Sequence, residues 1–335
     1  FRYITFRAMG SSVTAFLFCM LFGNLLIRML HRLNMIEPTA REHAPHLHPM
    51  FKHKQAIPSM GGVIIIMAVL SANLLWGNFE SKYMIFILVV TTALGCVGFA
   101  DDFVKVRTQN SRGIPALIKL SGQLVIGVSL AIFLYHEPGY DCVLYVPFFK
   151  HFILALGYLF IPFAVLVIVG SSNALNITDG LDGLAIGCSI IAAATFAVIC
   201  YVTGHSEFAQ YLNIAYIQQS GELAVFCASL VGAGVGFLWF NAYPAQVFMG
   251  DTGALAIGGA IGAVALFIKK ELLLLIIGGI FVWEALSVIL QVTSFKLRGK
   301  RIFLCAPFHH HLQLRGWHEA KVTVRLCIIA FILAV

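Results

Sequence analysis

Five aspartates bound what chemistry this chain could do. Asp101 and Asp102 stand side by side in GFADDFVKV, directly after a long apolar run. Asp179 and Asp182 lie in NALNITDGLDGLA, and Asp251 lies in GDTG. An aspartate costs about 2.5–3.5 kcal/mol at the centre of a membrane helix, so acids beside apolar runs need a reason. Clustered hard carboxylates suit Mg2+, which keeps several waters and also binds substrate phosphates. Such a cation clamps a diphosphate and offsets charge during phosphoryl transfer. Lys54, Lys105 and the run His309, His310, His311 add cations and N–H donors suited to phosphate oxygens.

Each feature also has a plainer reading. Lys52, His53 and Lys54 would serve as the positive flank of a membrane span. Asp182 and Asp251 would cap helices. Asn176, Asp179 and Asp182 recur every three residues and would share one helix face, but their neighbouring glycines equally allow a loop and then a helix start. Three consecutive histidines cannot all reach one metal from a regular helix, where neighbours point about 100° apart. No HExxH run is present, so zinc is the weaker reading of that stretch, and an interfacial loop is the plain one.

The elements that must position these groups are apolar. Hydrophobic residues make up 60% of the 335 and charged residues only 11%, against about 25% charged in soluble domains. The expected fold is an all-α polytopic membrane protein of one domain, 1–335. Runs of membrane-spanning length predict ten spans, near 8–30, 60–77, 82–100, 114–135, 151–170, 183–203, 221–240, 253–268, 272–295 and 321–335. The chain begins at Phe1 without Met and its last span is short, so trimming at both ends is expected; no signal peptide is visible.

Ten spans divide the loops into two sets, one holding sixteen of the Lys and Arg residues and the other six. That bias places the richer set in the cytoplasm and both termini outside. All the polar clusters fall on the richer side. The net charge of +7 enforces this topology and would attract a phosphorylated substrate; no basic stripe with interleaved aromatics points to nucleic acid. The eight cysteines include no CxxC, so neither a disulfide framework nor a zinc knuckle is expected. Gly232, Gly234 and Gly236 in GAGVGF sit inside a span with no strand before them, which predicts close helix packing rather than a nucleotide loop. An ion-coupled transporter would need acids near the bilayer midplane, and Glu284 is the one deep acid expected. That favours chemistry at the membrane surface.

The ordered set ADDFVKV, NALNITDGLDGLA, FLWFNAYPAQVFMGDTGALAIGG, SFKLRGKRIF and APFHHHLQLRGWHE closely resembles the polyprenyl-phosphate N-acetylhexosamine-1-phosphate transferase superfamily, over essentially the whole chain. The triple histidine before LRGW points to the branch that uses UDP-N-acetylmuramoyl-pentapeptide. The resemblance implies ten membrane helices, a homodimer in the bacterial inner membrane, and a Mg2+-dependent reaction at the cytoplasmic face. Undecaprenyl phosphate would attack the β-phosphate of the UDP-linked substrate, giving lipid I and UMP. Asp101 and Asp102 match the family's acidic pair, and Asp251 its principal Mg2+ ligand. Lys54, Asn176, Asp179, Asp182, Asn241 and Phe248 match positions around the nucleotide and sugar, where Phe248 offers a face to a uracil ring. Lys105, His309, His310 and His311 match positions near the phosphates and sugar. AIPSMGG departs from the usual loop because Ile57 removes a hydroxyl, and Ala254 stands where Ser is common. Adjacent helical residues diverge, so Asp101 is assigned to the lipid phosphate, and Asp102, with Asp251, to the metal. A sister transferase for another UDP-N-acetylhexosamine would share the acids and lack the triple histidine.

Overall fold

The computed structural model describes residues 3–36, 57–109, 113–147 and 153–335; Lys54 lies outside them. In a bilayer every backbone polar group must be satisfied within the chain, which a helix achieves alone. The apolar runs accordingly fold as α1 (Ile4–Arg32), α2 (Gly62–Trp76), α3 (Lys82–Thr108), α4 (Ala116–His136), α5 (Phe160–Thr178), α6 (Leu184–Thr203), α8 (Ser220–Asn241), α9 (Gly250–Phe267), α11 (Gly279–Arg298) and α13 (Glu319–Ala334). Three short helices connect them: α7 (Ser206–Leu212), α10 (Glu271–Ile277) and α12 (Phe308–Leu314). Eight of the described helices are long and apolar enough to cross a membrane. α2, with 15 residues, and α13, with 16, fall at the second and tenth expected spans. The protein is therefore all-α and polytopic; among the described residues the β structure is an isolated Ile36–Pro58 bridge and one antiparallel hairpin, β1 (Val143–Tyr145) with β2 (Ile153–Ala155), in which Leu144 faces Leu154.

Several boundaries differ from the sequence expectation, and the ninth expected span, 272–295, is broken at Gly278 into α10 and α11. The fifth helix begins at Phe160 and not near 151, which puts Pro162 in its first turn. There the missing N–H has no intrahelical partner to lose, whereas proline inside a helix would break a bond. α3 continues to Thr108, so the Asp101–Asp102 pair is helical. α9 begins at Gly250, so Asp251 lies in its first turn.

α9 is the centre of the bundle. Its sequence is mostly glycine and alanine, every residue from Asp251 to Phe267 is buried, and it packs on α2, α3, α5 and α6. Small side chains let helix backbones approach, which is how membrane helices gain packing energy without a hydrophobic effect between them. The same holds where α8 meets α1. A Cβ at Gly232 would overlap the Ser12 carbonyl, and one at Gly236 would lie 2.6 Å from the Cys19 Cβ. GAGVGF is thus a packing surface, as its position in a span predicts. At the N-terminal ends of these two helices Arg7 pairs with Glu222 at 2.5 Å and also donates to the Trp76 carbonyl at 3.3 Å, tying α1, α8 and α2.

Candidate active site

Two glycines bring α3 against the start of α9. A Cβ at Gly98 would overlap the Asp251 carbonyl, and one at Gly250 would lie 2.6 Å from Asp102 Oδ2. Gly250 also has φ +71°, a left-handed conformation that costs glycine little. The N-terminus of α9 therefore rests directly on the last turns of α3.

Asp102 meets that N-terminus. Its carboxylate accepts the Asp251 N–H at 3.1 Å, the Thr252 N–H at 2.9 Å and the Thr252 hydroxyl at 2.7 Å. It thereby caps a helix from another part of the chain, a favourable place for negative charge. Asp101, one residue earlier, faces the segment leading into α4. Its Oδ1 accepts the Ile114 N–H at 2.8 Å. Its Oδ2 lies 3.0 Å from the Lys105 ammonium and 3.4 Å from the Lys119 ammonium. Asp251 reaches the same two lysines, at 3.1 Å from Lys105 and in direct contact with Lys119. Two ammonium groups thus sit among three carboxylates.

Asp101, Asp102 and Asp251 each present an oxygen, and these oxygens lie within 4.8 Å of one another. Three hard carboxylates gathered at a buried helix start form a donor set that fits a divalent cation. Lys119, in the first turn of α4, is a site residue that motif reading missed. It reads in the sequence only as one more cytoplasmic cation, and nothing local links it to Asp101 or Asp251.

A second group forms where α12 meets the turn between α5 and α6. Asn176 lies in the last turn of α5, Asp179 caps its C-terminus with φ −77° and ψ 54°, and Asp182 sits in the turn that follows. Asn176 is thus helical while Asp179 and Asp182 lie in the loop before the next helix, and the trio does not share a helix face. Asp182 is not the cap of α6, whose N-cap is Gly183. Its carboxylate instead accepts the Ala245 N–H at 3.0 Å, while its own N–H donates to Glu319 at 2.8 Å. Asn241 accepts the Gly183 N–H at 3.1 Å and donates to the Val247 carbonyl at 2.9 Å. Both residues brace the 242–249 loop against α6. Phe248 on that loop is half-buried, and its backbone pairs with Pro58 and Gly61 at 2.9 and 2.8 Å.

The histidines occupy α12. His309 is fully buried, with Nδ1 3.2 Å from Glu284 Oε2, although neither ring nitrogen has hydrogen-bond alignment with a partner. The His309 backbone N–H donates to the same carboxylate at 3.2 Å. Glu284, the deep acid of the sequence, therefore neutralises the N-terminus of α12 and holds the histidine run in place. A Cβ at Gly180 would overlap the His309 ring, so the run and the Asp179–Asp182 turn are in contact. His310 Nδ1 is 2.8 Å from Gln313 Oε1, and His311 Nδ1 accepts the Leu304 N–H at 3.1 Å.

Residues 84–269 match the family model of glycosyl transferase family 4. Three similar proteins carry the name phospho-N-acetylmuramoyl-pentapeptide-transferase. That of Thermodesulfovibrio yellowstonii is 49% identical over 337 residues, covering 100% of this chain and 92% of the relative. That of Desulfotalea psychrophila is 48% identical, covering 99% and 92%. That of Citrifermentans bemidjiense is 47% identical, covering 100% and 92%. With full-length identity at this level, and with the acids, lysines and histidines of the ordered motifs folded to one end of the helix bundle, the chain belongs to glycosyl transferase family 4 and, within it, to the phospho-N-acetylmuramoyl-pentapeptide-transferases.

Proposed function

We propose that the chain transfers phospho-N-acetylmuramoyl-pentapeptide from its UDP-linked form to undecaprenyl phosphate, releasing UMP and forming lipid I. The observation that carries this reading is the buried Asp101, Asp102 and Asp251 triad closed around Lys105 and Lys119. The excess of Lys and Arg on the same side of the spans supports placing the site at the cytoplasmic face of the inner membrane. Residues 1–335 act as one catalytic domain. A homodimer is proposed on the family resemblance, and the mass of the purified protein in lipid discs tests it.

The metal of this reading is Mg2+, held by Asp251 and Asp102; when bound it would neutralise diphosphate charge. The chain's own groups do the rest. Asp101 holds the proton of the lipid phosphate and keeps the attacking oxygen bare. That oxygen bonds to the β-phosphorus, the bond from phosphorus to the oxygen of UMP breaks, and UMP leaves with the electron pair. Lys105 and Lys119 balance charge on the phosphate oxygens as it moves. Phe248 stacks on the uracil, and Asn176, Asp179, Asp182 and Asn241 shape the nucleoside and sugar region. His309, His310 and His311 face the phosphates and sugar. Lys54, outside the described residues, is assigned to the same region.

The test is UMP release from UDP-N-acetylmuramoyl-pentapeptide by purified protein with undecaprenyl phosphate. Activity is expected with Mg2+, with loss on chelation and recovery on adding Mg2+ back. Asp251→Ala should cost at least about 10²-fold in rate; full activity in that variant would overturn the metal assignment. Turnover with UDP-N-acetylglucosamine instead would favour the sister transferase. A radiolabelled phosphoryl-enzyme trapped on quenching would replace direct displacement with a two-step route.

A further inference from the structure

His311 is held by a strap that belongs to no helix. α11 ends at Arg298, and Gly299, with φ +65°, turns the chain back along the helix it has just left. Gln291 on α11 fixes the returning strand with three hydrogen bonds. Its Oε1 accepts the N–H groups of Ile302 at 3.0 Å and Phe303 at 2.9 Å, and its Nε2 donates to the Phe303 carbonyl at 2.9 Å. Ser294 adds a fourth bond, donating to the Lys300 carbonyl at 2.9 Å. The next residue along the strap, Leu304, gives its backbone N–H to His311 Nδ1 at 3.1 Å. The Phe303 ring meets the imidazole edge-on at 5.6 Å, and Phe308 stacks on it at 5.6 Å.

A backbone N–H can only donate, so Nδ1 of His311 must carry a lone pair. A neutral imidazole with a bare Nδ1 holds its one proton on Nε2. Burial and the Arg315 guanidinium both hold the group below the ordinary imidazole pKa, which keeps the second proton off. The neighbouring ring is set the other way. Gln313 Oε1 can only accept, so His310 carries a proton on Nδ1.

We infer that His311 serves the transfer reaction as a fixed neutral hydrogen-bond donor through Nε2, not as a general base, and that Gln291 is a positioning residue that sets this state by pinning the strap bearing the Leu304 N–H. The inference rests on the reading above that the histidine run faces the substrate. The acceptor it implies is an oxygen of the phosphate or sugar.

The experiment uses full-length protein with 15N-labelled histidine in lipid nanodiscs at neutral pH. Imidazole 15N shifts separate protonated from bare ring nitrogens, and the His311 signals are those lost in His311→Asn. Protonated Nε2 with bare Nδ1 is expected, and a proton on Nδ1, alone or in addition, overturns the inference. In Gln291→Leu, His311 should lose the fixed state, and kcat for UMP release should fall about tenfold or more with little change in KM. Gln291→Glu keeps the acceptor for Ile302 and Phe303 but loses the donor to the Phe303 carbonyl, so its ring state and kcat should fall between those of wild type and Gln291→Leu. A Gln291→Leu protein with the wild-type ring state and full kcat overturns the positioning role. If Gln291→Leu does not fold, the wild-type spectrum decides the ring state, and a folded Gln291→Glu protein with an unchanged ring state and full kcat would overturn the tether. Wild-type protein with the expected spectrum but no UMP release would overturn the proposed function and leave the ring assignment standing.

Discussion

Asp101 and Asp102 differ by one position and face different elements, as the 100° step of a helix requires. Asp102 carries the heavier structural role. Replacing it with alanine would leave the Asp251 N–H, the Thr252 N–H and the Thr252 hydroxyl without their acceptor. Buried donors left unpaired cost about 1–3 kcal/mol each, so Asp102→Ala should lower the thermal unfolding midpoint clearly. Asp102→Asn, which keeps one carbonyl acceptor, should lower it less; equal midpoints for wild type and Asp102→Ala, read by intrinsic fluorescence in detergent, would remove the capping role. Lys119 contacts both Asp101 and Asp251. Lys119→Met should lower UMP release about 10²-fold, with Lys119→Arg intermediate, in a protein whose unfolding midpoint stays near wild type. The acids were legible because carboxylates beside apolar runs stand out in any sequence. Lys119 was not, because a lysine at a span end is the commonest way to fix topology.

At the scale of elements, the site depends on how closely α3 and α9 approach. Gly98 is where that approach is tightest, since a Cβ there would run into the Asp251 carbonyl. Overpacking of this kind costs about 1–3 kcal/mol and would push Asp251 away from Lys105. Gly98→Ala is therefore expected to lose most of its UMP release even where folded protein is recovered; near-wild-type kcat would show that the helix contact does not set the site. Hydropathy located α9 as a short span and missed its first turn. The reason is that Gly250, Asp251 and Thr252 are polar or small, and their helical state depends on the carboxylate of Asp102 supplied by α3. Pro162 shows the opposite case. Its place three residues into α5 is a local rule that the expected boundary near 151 overlooked.

Across the whole molecule, the acidic triad and the β1–β2 hairpin lie at opposite ends of the described spans, since α3 and α4 run between them. If the site faces the cytoplasm, an impermeant maleimide should label Asp141→Cys, whose native side chain is 77% exposed, in intact spheroplasts. Lys300→Cys, on the strap, should react only after permeabilisation; the reverse pattern would invert the topology. The sequence by itself determined that this chain is a bundle of membrane helices, which side its basic loops favour, and which family its ordered motifs resemble. Those are properties of local hydropathy, charge and side-chain type, and they are readable without neighbours. Only the tertiary structure decided that Asp102 caps α9, that Lys119 joins the acids, that Glu284 anchors the histidine run, and that the Leu304 N–H meets His311. Each of these pairs residues from different helices or from a strap and a helix, and the pairing follows from how closely the helices pack, which glycine at the contacts permits and hydropathy along the chain does not record.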